Sequence, residues 1–176
     1  MAGSSRLRIL DGALSLLRSG GSVSLESAAV EAGVTKPGLM YHFPTKEALM
    51  VGLVNHVVDR WERKLVDLLG VPVAQARPEA RIRAYADFAL VTDFDATDIV
   101  MLSDPRLRES LSARWESRMA AWIDVPDDLP AAQRARLLAV RLLADGAWFA
   151  SAASVFALSH ADREQVRALA LNLLEE

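Results

Sequence analysis

The sequence predicts an all-α protein of about nine helices, and three observations support this prediction. Apolar residues recur every three or four positions through most of the chain, which is the period of an amphipathic helix. Alanine, leucine, arginine and glutamate are abundant, and runs of β-branched residues are rare. The nearest approach to a strand pattern is Val23-Ser24-Leu25, which is too short to form a strand.

The composition restricts the location of the chain and its chemistry. The chain has 176 residues and no cysteine, which excludes disulfides and thiolate metal sites and favours an intracellular protein. No apolar run approaches the roughly 20 residues that span a bilayer, and the segment MAGSSRLRILDG lacks the apolar core of a signal peptide. We therefore expect a cytoplasmic protein with no membrane partner.

The first two predicted helices have clear ends. The first spans about Arg6–Ser19 and ends at Gly20-Gly21, because glycine is a poor helix former. Ser24 is a good N-cap for the second helix. Gly33 suits the left-handed position that ends it.

A third short helix follows directly. Thr35 caps it, it covers Lys36–Phe43, and Pro44 ends it, because a proline restricts the residue before it. A helix, a glycine-containing turn and a helix form the helix-turn-helix pattern. The same pattern also suits an αα-hairpin that only builds a core, and these residues alone leave both interpretations open.

The charge of the chain is unevenly placed. Residues 1–55 carry five basic and four acidic residues, whereas the remainder carries 15 basic and 19 acidic residues. Arg6, Lys36 and Lys46 lie near predicted helix N-termini, where free backbone N–H groups favour phosphate. The bias is small, but it is that expected of a DNA-binding part joined to an acidic part.

The rest of the chain predicts six further helices. The fourth helix, about Lys46–Leu69, is about 36 Å long. It is either a lever that leaves the N-terminal unit or an ordinary core helix. The others are expected over residues 79–91, 96–102, 104–123, 131–158 and 162–174.

The segment from residue 25 to residue 50 resembles the N-terminal domain of the TetR family of bacterial transcriptional regulators. The resemblance rests on Ala29 and Gly33 at their spacing, on VTKP from Val34, on YHFPTKE from Tyr41, and on Leu49. Two residues depart from the family pattern. Met40 stands where the family usually has tyrosine, and Gly38 where it has a small polar residue.

The resemblance implies two domains and a regulatory function. Residues 1–46 would form the helix-turn-helix DNA-binding domain, and residues 47–176 the helical effector-binding and dimerisation domain. The protein would be a repressor that binds a palindromic operator as a homodimer. A small apolar or aromatic effector would release it. The eighth and ninth predicted helices would form the dimer seam, although the eighth also suits a central core helix.

The resemblance also implies which residues contact DNA. The third helix would enter the major groove with its N-terminal end, and Lys36 is the residue most suited to a guanine edge. His42 also suits a neutral histidine packed against the start of the fourth helix. The residues expected at base edges are Thr35, Lys36, Pro37 and Gly38, and those expected at phosphates are Arg6, Tyr41, His42, Thr45 and Lys46.

The second half of the chain is rich in aromatic residues and methionine, and these could line an effector pocket or simply fill a core. The candidate ligand-binding residues are Trp61, Phe88, Met101, Trp115, Met119, Trp148 and Phe149. Possible polar anchors, which the sequence does not rank, are Asp87, Thr92, Asp95, Asp98 and Asp145.

An enzyme is not expected. The sequence contains no glycine-rich phosphate loop, no nucleophile elbow and no metal-ligand spacing, so no cofactor and no metal are predicted. Two alternatives to the ligand-responsive repressor remain. One is a helical regulator without a small-molecule effector, and the other is a protein-interaction module.

Overall fold

The structure, a computed structural model, describes residues 2–175, with side chains from residue 5 onward. Over these residues it contains eight α-helices, two short 3-10 turns and no strand. This agrees with the predicted all-α class. The helices are α1 (Ala2–Arg18), α2 (Leu25–Glu31), α3 (Lys36–His42), α4 (Lys46–Leu69), α5 (Pro78–Val91), α6 (Arg108–Ile123), α7 (Ala131–Ala153) and α8 (His160–Asn172).

The chain divides into two compact units. The first unit comprises Met1–Asp59 and Ala96–Ser117, and the second comprises Arg60–Asp95 and Arg118–Glu176. In the described part of the chain, no helix is long and apolar enough to cross a membrane.

In the first unit, α1 packs on α2 and α3. Gly52 in α4 allows a close approach, because a Cβ atom there would lie only 2.6 Å from the Phe43 ring. The buried apolar residues of the three N-terminal helices are Ile9, Leu10, Ala13, Leu14, Ala28, Ala29 and Leu39. Burial of these side chains and of the Phe43 ring stabilises a unit whose helices are individually short.

In the second unit, α5 packs on α7 and α8, and α7 also packs on α8. The core residues of this unit are largely aromatic and aliphatic, as the sequence indicated. They include Trp61, Ile82, Tyr85, Phe88, Leu137, Val140, Ala144 and Trp148.

Several element boundaries differ from the sequence-based expectation. Helix α1 begins at Ala2 rather than Arg6, and the last helix spans His160–Asn172 rather than residues 162–174. The helix expected over residues 131–158 ends at Ala153, because Ser154 adopts a left-handed conformation with φ 54°. The segment expected to be helical over residues 96–102 is a turn that ends in a 3-10 helix, Val100–Leu102. The helix expected from Asp104 begins at Arg108, because the Asp104 carboxylate accepts a bond from the backbone N–H of Arg106 and holds a turn there.

Candidate functional site

The helix-turn-helix is built by local hydrogen bonds at its caps. The Ser24 hydroxyl accepts from the N–H of Ser27, and the Ser27 hydroxyl accepts from the N–H of Ser24, which together form a capping box. Gly33 has φ 62°, and the N–H of Val34 donates to the carbonyl of Ala29 at 3.0 Å. These bonds end α2 and set the direction of α3.

Helix α3 has one buried and one exposed side. Leu39 is buried, and so is Phe43, which directly follows the helix. The residues of the first turn, Thr35, Lys36, Pro37 and Gly38, are all exposed. The Thr35 hydroxyl accepts from the N–H of Gly38 at 3.2 Å and caps the helix. The predicted base-reading turn is therefore accessible from solvent, and the Thr35 cap fixes its backbone conformation.

Gly38 fits this cap closely. A Cβ atom at position 38 would lie 3.1 Å from the Thr35 hydroxyl oxygen, which is tighter than an ordinary contact. A larger side chain at this position would therefore disturb the cap of α3.

Lys36 and Lys46, which were predicted to contact DNA, each form an ion pair. The Lys36 amine donates to Glu26 in the first turn of α2, and this bond holds the pKa of Glu26 below its usual range. The Lys46 amine lies 2.5 Å from an oxygen of Asp104, and this bond is the main cause that lowers the pKa of Asp104. Neither acidic partner was predicted from the sequence, because neither lies three or four residues from its lysine.

The remaining predicted DNA-contact residues all belong to the first unit. Tyr41 is 83% exposed, and the centroid of its ring lies 5.2 Å from that of the half-buried His42 ring, with the two rings nearly perpendicular. The Thr45 hydroxyl accepts from the N–H of Ala48 and caps α4. The Arg6 guanidinium lies 5.1 Å from the centre of the Phe43 ring, which is a cation–π distance.

The candidate ligand-binding residues are divided between the two units. Met101 and Trp115 belong to the first unit, and Trp61, Phe88, Met119, Trp148 and Phe149 belong to the second. In the second unit, Trp61 lies 5.0 Å from Phe88 and 5.2 Å from Trp148, measured between ring centroids. These rings pack together as a cluster.

Phe94 completes this cluster, with its ring 5.2 Å from Trp61 and 5.3 Å from Phe88. It was not among the predicted residues. The signal in the sequence was a single aromatic residue inside an otherwise polar connection.

A buried hydrogen-bond chain lies beside the cluster. The Tyr85 hydroxyl donates to Asp145 at 2.6 Å and accepts from the Trp148 indole N–H at 2.8 Å. Burial, followed by the charge of Asp145, raises the pKa of Tyr85 well above its usual value. Asp145, which the sequence offered as a ligand anchor, therefore accepts a hydrogen bond from another side chain of the protein.

The second unit also contains a cavity of about 620 Å³ between α4, α5 and α8. Phe88 lines it, and Asp87 and Thr92 from the possible polar anchors do so too. The other lining residues are Lys64, Asp67, Leu68, Leu90, Val91, His160, Glu164 and Arg167. Within the described residues, no group of three or more histidine, aspartate or glutamate side chains could hold a metal ion.

The fold and the exposed α3 define a helix-turn-helix DNA-binding protein. A family model described as tetracyclin repressor-like, C-terminal domain, matches residues 79–175, which is more than half of the chain. A second model, for bacterial regulatory proteins of the tetR family, matches residues 9–53. The chain therefore belongs to the TetR family of bacterial regulatory proteins.

Comparison with solved structures gives the same fold. A Rhodococcus sp. protein assigned to the TetR-family transcriptional regulators is 16% identical, with a TM-score of 0.65 over 98% of this chain and 97% of that one. SCO1917, a TetR family member from Streptomyces coelicolor A3, is 21% identical, with a TM-score of 0.57 over 96% and 97%.

The multidrug binding protein EbrR, solved in complex with imidazole, is also 21% identical, with a TM-score of 0.56 over 96% and 93%. None of the curated proteins compared with the chain matches it.

Proposed function

We propose that the chain acts in the cytoplasm as a dimeric repressor that binds a palindromic operator and is released by a small apolar or aromatic effector. The observation that carries the proposal is the exposed N-terminal turn of α3, Thr35–Gly38, in front of the buried Leu39. A helix held in this way presents its first turn to the major groove.

The DNA contacts divide into two kinds in this proposal. Thr35, Lys36, Pro37 and Gly38 read base edges, and Lys36 contacts a guanine. The phosphate contacts come from Arg6, Tyr41, His42, Thr45 and Lys46. Residues 1–46 supply these contacts, and residues 47–176 bind the effector and the second copy.

Exposed apolar residues on α7 and α8 support the dimer. Leu142, Gly146, Phe149 and Ala153 recur at intervals of four, three and four residues along α7, and Leu142 and Phe149 are 61% and 44% exposed. Leu169, in α8, is 58% exposed. Exposed apolar residues at helical spacing favour a helix partner, and a second copy of the chain brings the same two helices.

The effector is proposed to act by favouring a dimer state whose two recognition helices no longer match successive grooves. It can shift the protein only by the difference between its affinities for the two states. The candidates that the sequence offers for its binding are the aromatic residues Trp61, Phe88, Trp115, Trp148 and Phe149 and the methionines Met101 and Met119. Helix α4, continuous from Lys46 to Leu69, is the element through which the change would pass.

A mobility-shift experiment tests the proposal on the DNA that flanks the protein's own gene, at two salt concentrations. We expect a shift at low salt that weakens steeply as the salt concentration rises, because counterions are released on binding. The absence of a shift at low salt would contradict the proposal. A shift that no apolar compound reverses would instead favour a regulator without a small-molecule effector.

A further inference from the structure

We infer that the cavity between α4, α5 and α8 is the effector site of this regulator, and that it takes a monovalent organic cation with an apolar body. The inference rests on the proposed function, since it names the site and the chemical class of the effector. It moves the site from the packed aromatic cluster to a neighbouring cavity that shares only Phe88 with the candidate ligand-binding residues.

The size and the floor of the cavity suit a small organic molecule. A volume of about 620 Å³ lies within the roughly 300–1,000 Å³ of most ligand sites. Two of its lining residues, Phe88 and Leu90, are buried in the core, and Leu68 and Val91 add exposed apolar side chains. An apolar body gains by leaving water for this surface.

The charges around the cavity select the sign of the ligand. The lining contains two basic and three acidic residues, with histidine counted as neutral. Arg167 donates from Nε to Asp87 at 2.6 Å, so these two charges offset each other. The basic residue that is left is Lys64, and the acidic residues are Asp67 and Glu164.

Glu164 makes a long contact with a histidine. Its carboxylate lies 3.7 Å from His160 Nδ1, and both side chains are exposed. A cation in the cavity therefore meets an excess of carboxylate, whereas an anion meets repulsion.

The position of the cavity on α8 connects ligand binding to the proposed dimer seam. His160, Glu164 and Arg167 recur at intervals of four and three residues and so share one side of α8. Leu169 lies half a turn away from that side and is exposed. A ligand that changes the position of α8 therefore also changes the surface that the second copy meets.

Polar side-chain bonds join α8 to the end of α5 near the cavity. Arg163 donates to the carbonyl of Thr92 at 3.0 Å and to Asp93 at 2.7 Å. With the Arg167–Asp87 pair, these are side-chain bonds that a ligand can exchange without opening the aromatic core.

The experiment uses the full-length chain and two probes of the same shape and opposite charge, tetraphenylphosphonium and tetraphenylborate. Titration calorimetry should show saturable binding of the cation and none of the anion. Glu164→Gln should weaken cation binding about fivefold, the effect expected of one exposed charge near the ligand. The matched control Glu116→Gln removes a carboxylate from the exposed side of α6, in the other unit, and should leave the affinity unchanged.

A second variant fills the space without removing a charge. Val91 is an exposed lining residue at the end of α5, so Val91→Trp should block the cavity and abolish binding while the chain still folds. The same probe is then tested for release of the protein from DNA in a mobility-shift assay.

The two experiments separate the inference from the proposed function. Release of DNA by the cation in the parent, in Glu164→Gln and in Val91→Trp alike would overturn the cavity assignment and leave the proposed function standing. Binding that both variants weaken, without any release of DNA, would overturn the effector role. No saturable binding of the cation would overturn the inference itself.

Discussion

Lys36 is the residue on which DNA recognition depends most in this account, and it is bonded to Glu26 in the free protein. Both side chains are largely exposed. Exposed ion pairs contribute little to stability, so DNA can displace the amine at small cost. The carboxylate nevertheless stays beside the base-reading turn, where it repels phosphate.

Glu26→Gln should therefore tighten binding to random DNA more than binding to the operator. The released Lys36 can then act as a phosphate contact. The slope of log affinity against log salt concentration should therefore become steeper by up to about 0.9. Fluorescence anisotropy over a salt series measures this slope. Glu31→Gln, at the other end of α2, is the control for charge alone, and equal slopes in the two variants would contradict the prediction.

Tyr85 is the second residue with a specific role, because its hydroxyl joins Asp145 to the indole of Trp148. Tyr85→Phe would remove the hydroxyl that accepts from the buried Trp148 N–H at 2.8 Å. The cost should be about 1–3 kcal/mol in the free energy of unfolding. Urea unfolding at neutral pH measures it, and an unchanged midpoint would contradict the assigned role.

The same residue should produce an alkaline loss of stability. The pKa of Tyr85 is raised on folding, so its stabilising effect is complete below about pH 10, where the unfolded tyrosine is also neutral. Above that pH the unfolded state ionises first and stability falls. Tyr85→Phe should show a smaller loss over this range, and parallel curves for parent and variant would rule this explanation out.

At the scale of the element, the turn between α2 and α3 depends on the left-handed conformation of Gly33. A Cβ atom at position 33 would meet no atom within 4 Å, so only the backbone conformation disfavours a side chain. Gly33→Ala should cost about 1–2 kcal/mol. Gly33→Asn should cost less, since asparagine tolerates this conformation. Chemical denaturation measures both, and equal losses would indicate that another effect dominates.

The caps of the helix-turn-helix were predictable from the sequence because they are local. Ser24, Gly33 and Thr35 act on backbone groups within a few residues of themselves. The end of α7 was not predictable in this way, because Ser154 adopts φ 54° where neither glycine nor proline marks a stop. The ion-pair partner of Lys46 is 58 residues away, which no local pattern reveals.

At the scale of the whole molecule, the all-α class and the family followed from periodicity and from one motif. The cavity did not, because its lining comes from three separate stretches of the chain. Its charged residues, such as Lys64 and Glu164, look like solvated helix surface in the sequence. Whether aromatic residues pack together or line a space depends on tertiary packing, and so the candidate ligand-binding residues did not indicate this cavity.

The proposed dimer should depend on Leu169. Leu169→Glu should give a monomer that remains folded, because the side chain is already exposed in the single chain and a charge is costly only in an apolar seam. Sedimentation analysis measures the change. Val66→Glu, at an exposed apolar site on α4, is the control, and a dimer that persists in Leu169→Glu would contradict a seam through α8.

In the proposed complex with DNA, the first turn of α3 reads bases while the surrounding residues bind phosphates. The most direct test is the ratio of affinities for operator and scrambled DNA in the parent, Lys36→Ala and Arg6→Ala proteins. Lys36→Ala should lower this ratio, because it removes a base contact. The binding free-energy difference between operator and scrambled DNA should fall by about 1–3 kcal/mol. Arg6→Ala should weaken both affinities about equally and leave the ratio unchanged. An unchanged ratio in Lys36→Ala would contradict the account.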